Sequence, residues 1–265
     1  MKNNSLKKIL IKMFDEAVSI SHPANLMSKY IPDKQPSGKT VIIGAGKASA
    51  EMARAFEIAW KEKGYNDLNG IVITRYGHKR KCENIKIIEA SHPTPDKAGL
   101  EATSDIINLI KPLKKEDLLV VLISGGGSSL LVSPLNNISL DEKQDLTSNL
   151  LRCGATISEI NSVRKHLSNV KGGKLASFAY PAKIITLAIS DVPGDHFGVI
   201  ASGPTYPDST SNKDALDVLH KYNIHLNYGD DAIDYPHSKS WYVLDPSGYE
   251  IEVVLWKADT IAFAS

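Results

Sequence analysis

DLLVVLISGGGSSLL, residues 117–131, runs an apolar segment straight into three glycines and two serines. Leu118–Ile123 is the most apolar short run of the chain, and a continuous run of Leu, Val and Ile without polar alternation is the pattern of a strand buried on both faces. In an open α/β sheet, ligands bind just beyond the carboxyl ends of the strands. Glycines there remove side chains, so that backbone N–H groups can approach and surround an anion. Three in succession also carry an entropic penalty that a plain turn does not require. A second turn of this kind, SDVPGDHFGVIASGPT at 190–205, follows the apolar run Lys183–Ile189. Together the two turns imply a site for a small phosphorylated or carboxylated molecule.

Outward from this stretch, strand-like and helix-like segments alternate from residue 40 to about residue 222. Strands are predicted at Thr40–Ile43, Gly70–Thr74, Ile85–Glu89, Leu118–Ile123 and Lys183–Ile189. Helices are predicted at Ala48–Lys63, Lys97–Ile110, from Ser139 (a capping box with Glu142), at 158–168 and at Asp214–Tyr222. Such alternation implies an α/β fold with a mostly parallel, helix-covered sheet. Ser5 caps an amphipathic N-terminal helix carrying Leu6, Ile9, Leu10, Met13, Phe14, Ala17 and Val18. Asp15 and Glu16 interrupt it too early for a signal peptide.

The periodicity changes after Asn223. Trp241–Leu244 and Ile251–Trp256 read as two strands around the turn Asp245-Pro246-Ser247-Gly248. The expected organisation is an α/β domain over 1–223 and a β-hairpin over 224–265. Across 265 residues, 42% apolar and 23% charged content is ordinary for a globular protein, and a net charge of +1 leaves no footprint for nucleic acid. No run is long and apolar enough to span a bilayer. Cys82 and Cys153 are too few for a disulfide framework, so the default compartment is the cytoplasm. The oligomeric state stays open.

Four motifs can carry chemistry. In VIIGAGKASAEMA, Gly44-x-Gly46-x-x-Ser49 is a dinucleotide-binding fingerprint without its third glycine, and Thr74-Arg75 replaces the acid expected after the next strand. What remains is Lys47 at a strand-to-helix junction, where its charge and the helix start both favour an anion. Ser124, Gly125, Gly126, Gly127, Ser128 and Ser129 read as an anion cradle of amides and hydroxyls; no G-x-S-x-G nucleophile elbow is present. Asp191 and Asp195 flank Pro193-Gly194, where they either hold Mg²⁺ or accept a hydroxyl proton, or else cap local turns. Arg164, in the basic run with Lys165 and His166, either clasps a carboxylate or lies on a solvated face. His92 and His196 are explained by loop polarity.

GAGKAS at 44–49, ASHPTPD at 90–96, LISGGGSSLL at 122–131, GATISEINSVRKHLSNVKGGKLA at 154–176 and SDVPGDHFGVIASGPTYPD at 190–208 resemble, in order, the glycerate 2-kinase family. Some of its members are labelled hydroxypyruvate reductases. The resemblance covers about residues 5–222. It implies a Rossmann-like three-layer α/β/α sandwich and transfer of phosphate from ATP, with Mg²⁺, to the 2-hydroxyl of D-glycerate. By that resemblance Lys47 contacts phosphate and Gly125–Ser129 and Asp191 line the cleft, while Arg164 faces the glycerate carboxylate. Members of the family continue into a second α/β domain. Here YPHSKSWYVLDPSGYEIEVVLW at 235–256 instead resembles the closing hairpin of a glyoxalase, bleomycin-resistance and dioxygenase module, in which Glu252 matches a metal-ligand position. The alternatives are an NAD(P)-dependent reductase, a non-catalytic remnant and a glyoxalase-like metal protein.

Overall fold

A computed structural model describes residues 2–135, 138–224, 233–234, 238–244 and 250–256. Helices α1 (Lys2–Ser21) and α2 (Pro23–Leu26) lead to β1 (Thr40–Ala45), α3 (Ser49–Glu62), β2 (Leu68–Arg75), β3 (Ile85–Ala90) and α4 (Lys97–Ile110). Next come β4 (Leu118–Ser124), α5 (Gly127–Leu130), α6 (Leu140–Arg152), α7 (Ile157–His166), α8 (Lys174–Phe178), β5 (Lys183–Ile189) and α9 (Asn212–Lys221). The five strands form one parallel sheet in the order β3-β2-β1-β4-β5.

Period-two alternation divides the core. Val41, Ile43 and Ala45 of β1, with Leu119, Val121 and Ile123 of β4, pack towards α4 and α8. Ile42, Val120 and Leu122 pack on the other face against Met52, Phe56 and Trp60 of α3. Both faces of the two central strands are therefore covered, which is why their sequences are unbroken apolar runs. A third cluster, with Leu146, Leu150, Ile160, Val163, Leu216 and Leu219, joins α6, α7 and α9 at the side of the sheet.

The chain leaves β1 towards β2 and β3, then crosses back to place β4 on the other side of β1. That reversal of direction creates a crevice at the carboxyl ends of β1 and β4. Ala45 pairs with Ile123, so the turns that follow these strands are neighbours.

The strands, α4, β5 and the Ser139–Glu142 capping box fall where the sequence predicts them, within two residues. The N-terminal helix forms too, but it begins at Lys2, so Ser5 lies inside it rather than at its cap, and its apolar side chains remain exposed, Leu10 at 65% and Phe14 at 68%. No described helix is long and apolar enough to cross a membrane. Beyond the sheet, β6 (Ile233–Asp234), β7 (Ser238–Leu244) and β8 (Glu250–Trp256) pair antiparallel in the order β6-β7-β8, so the predicted hairpin is present with a short strand added. The turn at 245–248 lies outside the described residues.

Candidate active site

The turn after β1 and the turn after β4 are stitched together. The Lys47 amide donates to the Gly125 carbonyl at 2.9 Å, and the Ala48 amide donates to Ser124 Oγ at 3.0 Å. Ser49 Oγ donates to the Leu122 carbonyl at 3.0 Å. On the other side, Thr74 Oγ1 donates to the Gly46 carbonyl at 3.2 Å. These bonds hold Lys47 at the mouth of the crevice, at the junction the sequence predicts.

Each glycine of the triple run has a distinct steric reason. A Cβ on Gly125 would collide with the Asp191 carboxylate. Gly126 sits at φ +83°, where a Cβ would also lie 2.6 Å from His92 Cδ2, 2.7 Å from its Nε2 and 3.3 Å from Lys47 Cε. On Gly127 a Cβ would stand 2.7 Å from the Ala45 carbonyl oxygen and 2.8 Å from Ala201 Cβ. The run is thus the meeting point of Lys47, His92 and Asp191. It opens directly into α5, whose first N–H groups have no intrahelical acceptors.

Lys47 Nζ lies 3.5 Å from Asp191 Oδ2, with the side chains 42% and 53% exposed. At that exposure the pair is worth little and either partner is free to turn towards a ligand. His92 ends the β3 turn; burial, then the charges of Lys47 and Arg75, hold its pKa below the ordinary histidine value. It is therefore neutral at pH 7 and can accept a proton. Loop polarity does not account for His92. The sequence signal was its place in HPTPD at the carboxyl end of a sheet strand.

Several expected site residues belong to the framework. Gly44 lies within β1, where a Cβ would strike the Leu122 carbonyl. Gly46, at φ +149°, leaves room for Ser124, whose buried hydroxyl serves the β1–α3 turn. Ser129 Oγ donates to the Gly126 carbonyl at 3.1 Å. Ser128 remains half-buried, its hydroxyl 2.9 Å from Ser202 Oγ, and Ser202 in turn donates to Asn161 Oδ1 at 3.2 Å. Ala201 and Ser202 both adopt left-handed backbone, at φ +52° and +60°, a strained pair beside Gly127.

Asp195 sits on the exposed turn after Gly194, at φ +53°, with no side-chain partner among the described residues. No group of three His, Cys, Asp or Glu side chains that could hold a metal occurs among the described residues. Asp191 and Asp195 alone are two ligands, and an exposed carboxylate such as that of Asp191 fits Mg²⁺ only when phosphates and water supply the other ligands. Glu252 stands opposite Tyr242 in the β7–β8 register, and its side chain lies outside the described residues.

Arg164, on α7, is largely buried, and burial lowers its pKa. No hydrogen bond or ion pair to its guanidinium occurs among the described residues. It is not on a solvated face. Its neighbour Lys165 is the paired cation, 3.1 Å from Asp208 Oδ1. The next strand-distal lysine, Lys171, is 1% exposed; its Nζ donates to the carbonyls of Ser128 at 2.6 Å and Leu131 at 3.3 Å, fixing the α5 turn from below.

A family model described as "Domain of unknown function (DUF4147)" matches residues 9–235. A protein of Agrobacterium vitis named "Putative hydroxypyruvate reductase" is 49% identical over 222 residues, covering 84% of this chain and 50% of its own. The D-glycerate 2-kinase of Thermotoga maritima is 43% identical over 221 residues, 83% of this chain and 52% of its own. The crystal structure of a glycerate kinase from that organism superposes with a TM-score of 0.76 at 41% identity, covering 84% of this chain and 53% of the other. The chain spans about half the length of the curated relatives it matches. The α/β fold is the one these structures share.

Proposed function

Because the chain belongs to the DUF4147 family and is related to named glycerate 2-kinases, we propose that its crevice binds ATP with Mg²⁺ and D-glycerate and supports phosphoryl transfer to the 2-hydroxyl of the acid. The observation that carries this reading is the convergence of Lys47 and the triple-glycine turn at the ends of β1 and β4. Phosphoryl transfer needs positioning and charge neutralisation more than a strong nucleophile.

ATP supplies the phosphoryl group, and Mg²⁺ neutralises charge on its oxygens. The exposed Asp191 carboxylate is suited to a cation arriving with the nucleotide. Lys47, on a turn fixed by four hydrogen bonds, provides the positive charge that stabilises the transferring group. Neutral His92 beside it accepts the hydroxyl proton at a ring nitrogen. The Gly126–Ser128 amides hold an anionic oxygen. A nicotinamide reading has less support: β2 ends in Thr74-Arg75 where a ribose-binding acid would stand, and Thr74 is occupied by Gly46.

A coupled assay with ATP, Mg²⁺ and D-glycerate tests the reading, with Lys47→Ala beside the wild type. Loss of the lysine is expected to lower turnover by about 10²–10³. Equal turnover in both proteins would remove Lys47 from the reaction. Absence of turnover with an ATP-dependent rise in melting temperature would leave a binding module rather than an enzyme. Quenching or protection of NADH without ATP binding would favour the reductase.

A further inference from the structure

A cavity of about 200 Å³ opens beside α5, lined among others by Pro95, Ser128, Lys143, Gln144, Thr147 and Arg164. Ser128, one of its lining residues, stands two residues along from Gly126, the position crowded by His92 and Lys47. Its charged lining residues, Lys143 and Arg164, are both basic. Lys143, on α6, is 6% exposed, and its Nζ has one acceptor, the Leu167 carbonyl at 3.2 Å. Arg164, on α7, has no acceptor at all among the described residues. Around Lys143 stand two further positive groups, Arg164 and Lys174 on α8. Asp208, the nearby acid, is engaged by Lys165 and the Thr210 amide and hydroxyl. Gln144 and Thr147 are committed to the backbone, donating to Pro95 and Lys143 carbonyls at 2.7 and 2.8 Å.

A buried ammonium and a half-buried guanidinium with unused donors and no counter-ion are costly unless a ligand supplies the missing charge. Guanidinium and ammonium together present a planar fork and a point donor, which match the two oxygens of a carboxylate. We propose that this cavity is an oxyanion receptor, and that Lys143 with Arg164 holds the carboxylate of the acceptor acid there. The identity of that anion rests on the kinase reading; the receptor itself does not. Lys143 is then a specificity residue that admits a small hydroxy acid and rejects the corresponding alcohol. Burial, then Arg164 and Lys174, lowers the Lys143 pKa to about 7. An incoming carboxylate reverses that effect, so binding above neutral pH draws a proton onto the amine.

The full chain, its Lys143→Met variant and its Arg164→Met variant would be titrated calorimetrically with D-glycerate, glycerol, inorganic phosphate and Mg-ATP. Each titration is made at pH 8 in two buffers of different ionisation enthalpy. D-Glycerate is expected to bind the wild type with uptake of a fraction of a proton, and glycerol not to bind. Each variant should weaken glycerate by about tenfold or more, the value of a charge-assisted hydrogen bond. Lys143→Met should abolish the proton uptake, with Mg-ATP affinity unchanged. Unchanged glycerate affinity in both variants overturns the proposal, as does a loss of Mg-ATP affinity in place of glycerate. If the wild type binds neither glycerate nor Mg-ATP, phosphate separates the two ideas. Phosphate binding that Lys143→Met abolishes keeps the receptor and removes the kinase reading; no phosphate binding removes both. Methionine replaces the unbranched stem of lysine without its ammonium group, and Arg164→Met carries the test should Lys143→Met not fold.

Discussion

Lys143 holds an amine inside the protein with two other cations, Arg164 and Lys174, around it, and that arrangement has a signature in stability. Its folded-state pKa lies near 7, against 10.5 for an ordinary lysine. Between these values the unfolded chain carries a proton that the folded chain lacks, so stability rises with pH across that window. One such group gives a slope of up to about 1.4 kcal/mol per pH unit. Below about pH 7 both states are protonated and the full penalty of the buried charge applies. The melting temperature of the ligand-free chain is therefore expected to climb from pH 7 to pH 9, and Lys143→Met to flatten the climb. A slope identical in the two proteins would show that the amine is not desolvated. The placement of Lys47 and Asp191 at the carboxyl edge of the sheet could be read from sequence because each follows a strand in a short polar turn. That of Lys143 could not, because a single lysine on a capped helix looks the same whether it faces water or the next helix. Arg164 shows the same ambiguity: its burial depends on how α6 and α7 pack, a tertiary fact absent from local pattern.

At the scale of elements, the turn between β4 and α5 separates folding from chemistry. On Gly125 an added methyl meets the movable end of Asp191; on Gly127 it meets the Ala45 carbonyl and Ala201, which cannot withdraw. Gly125→Ala is thus expected to keep the wild-type melting temperature while displacing Asp191 from Lys47 and weakening Mg-ATP. Gly127→Ala should cost about 1–3 kcal/mol, the range for overpacking a filled interior. Denaturant unfolding beside nucleotide titration checks both, and equal destabilisation by the two alanines would contradict the geometry. The elements flanking this turn were legible because their signals are local: apolar runs for β4 and β5, and the Ser139–Glu142 capping box for α6. The short helices α5 and α8 escaped sequence reading. Both open on a left-handed glycine, Gly126 and Gly173, and span only four and five residues, too few for periodicity to show.

For the molecule as a whole, a parallel, helix-covered sheet follows from the alternation of elements, but the order of its strands and the coverage of its periphery do not. Helix α1 has the spacing of a core helix, yet Leu6, Ile9, Leu10, Met13 and Phe14 all stay exposed. Replacing Leu10 and Phe14 together by glutamine should change the unfolding free energy by no more than about 0.5 kcal/mol, as for surface positions generally. A loss of several kcal/mol on thermal or urea unfolding would mean that the helix packs in solution. The central strands contrast with this rim. β1 and β4 are flanked by β2 and β5, roofed by helices on both faces, and joined to each other by register and by the stitched turns. The margins are not equivalent: the exposed α1 can vary without touching the turns after β1 and β4, whereas the stretch after β5 cannot, because Asp191 and Ala201 press directly on Gly125 and Gly127 and so give that segment a share in the shape of the hollow.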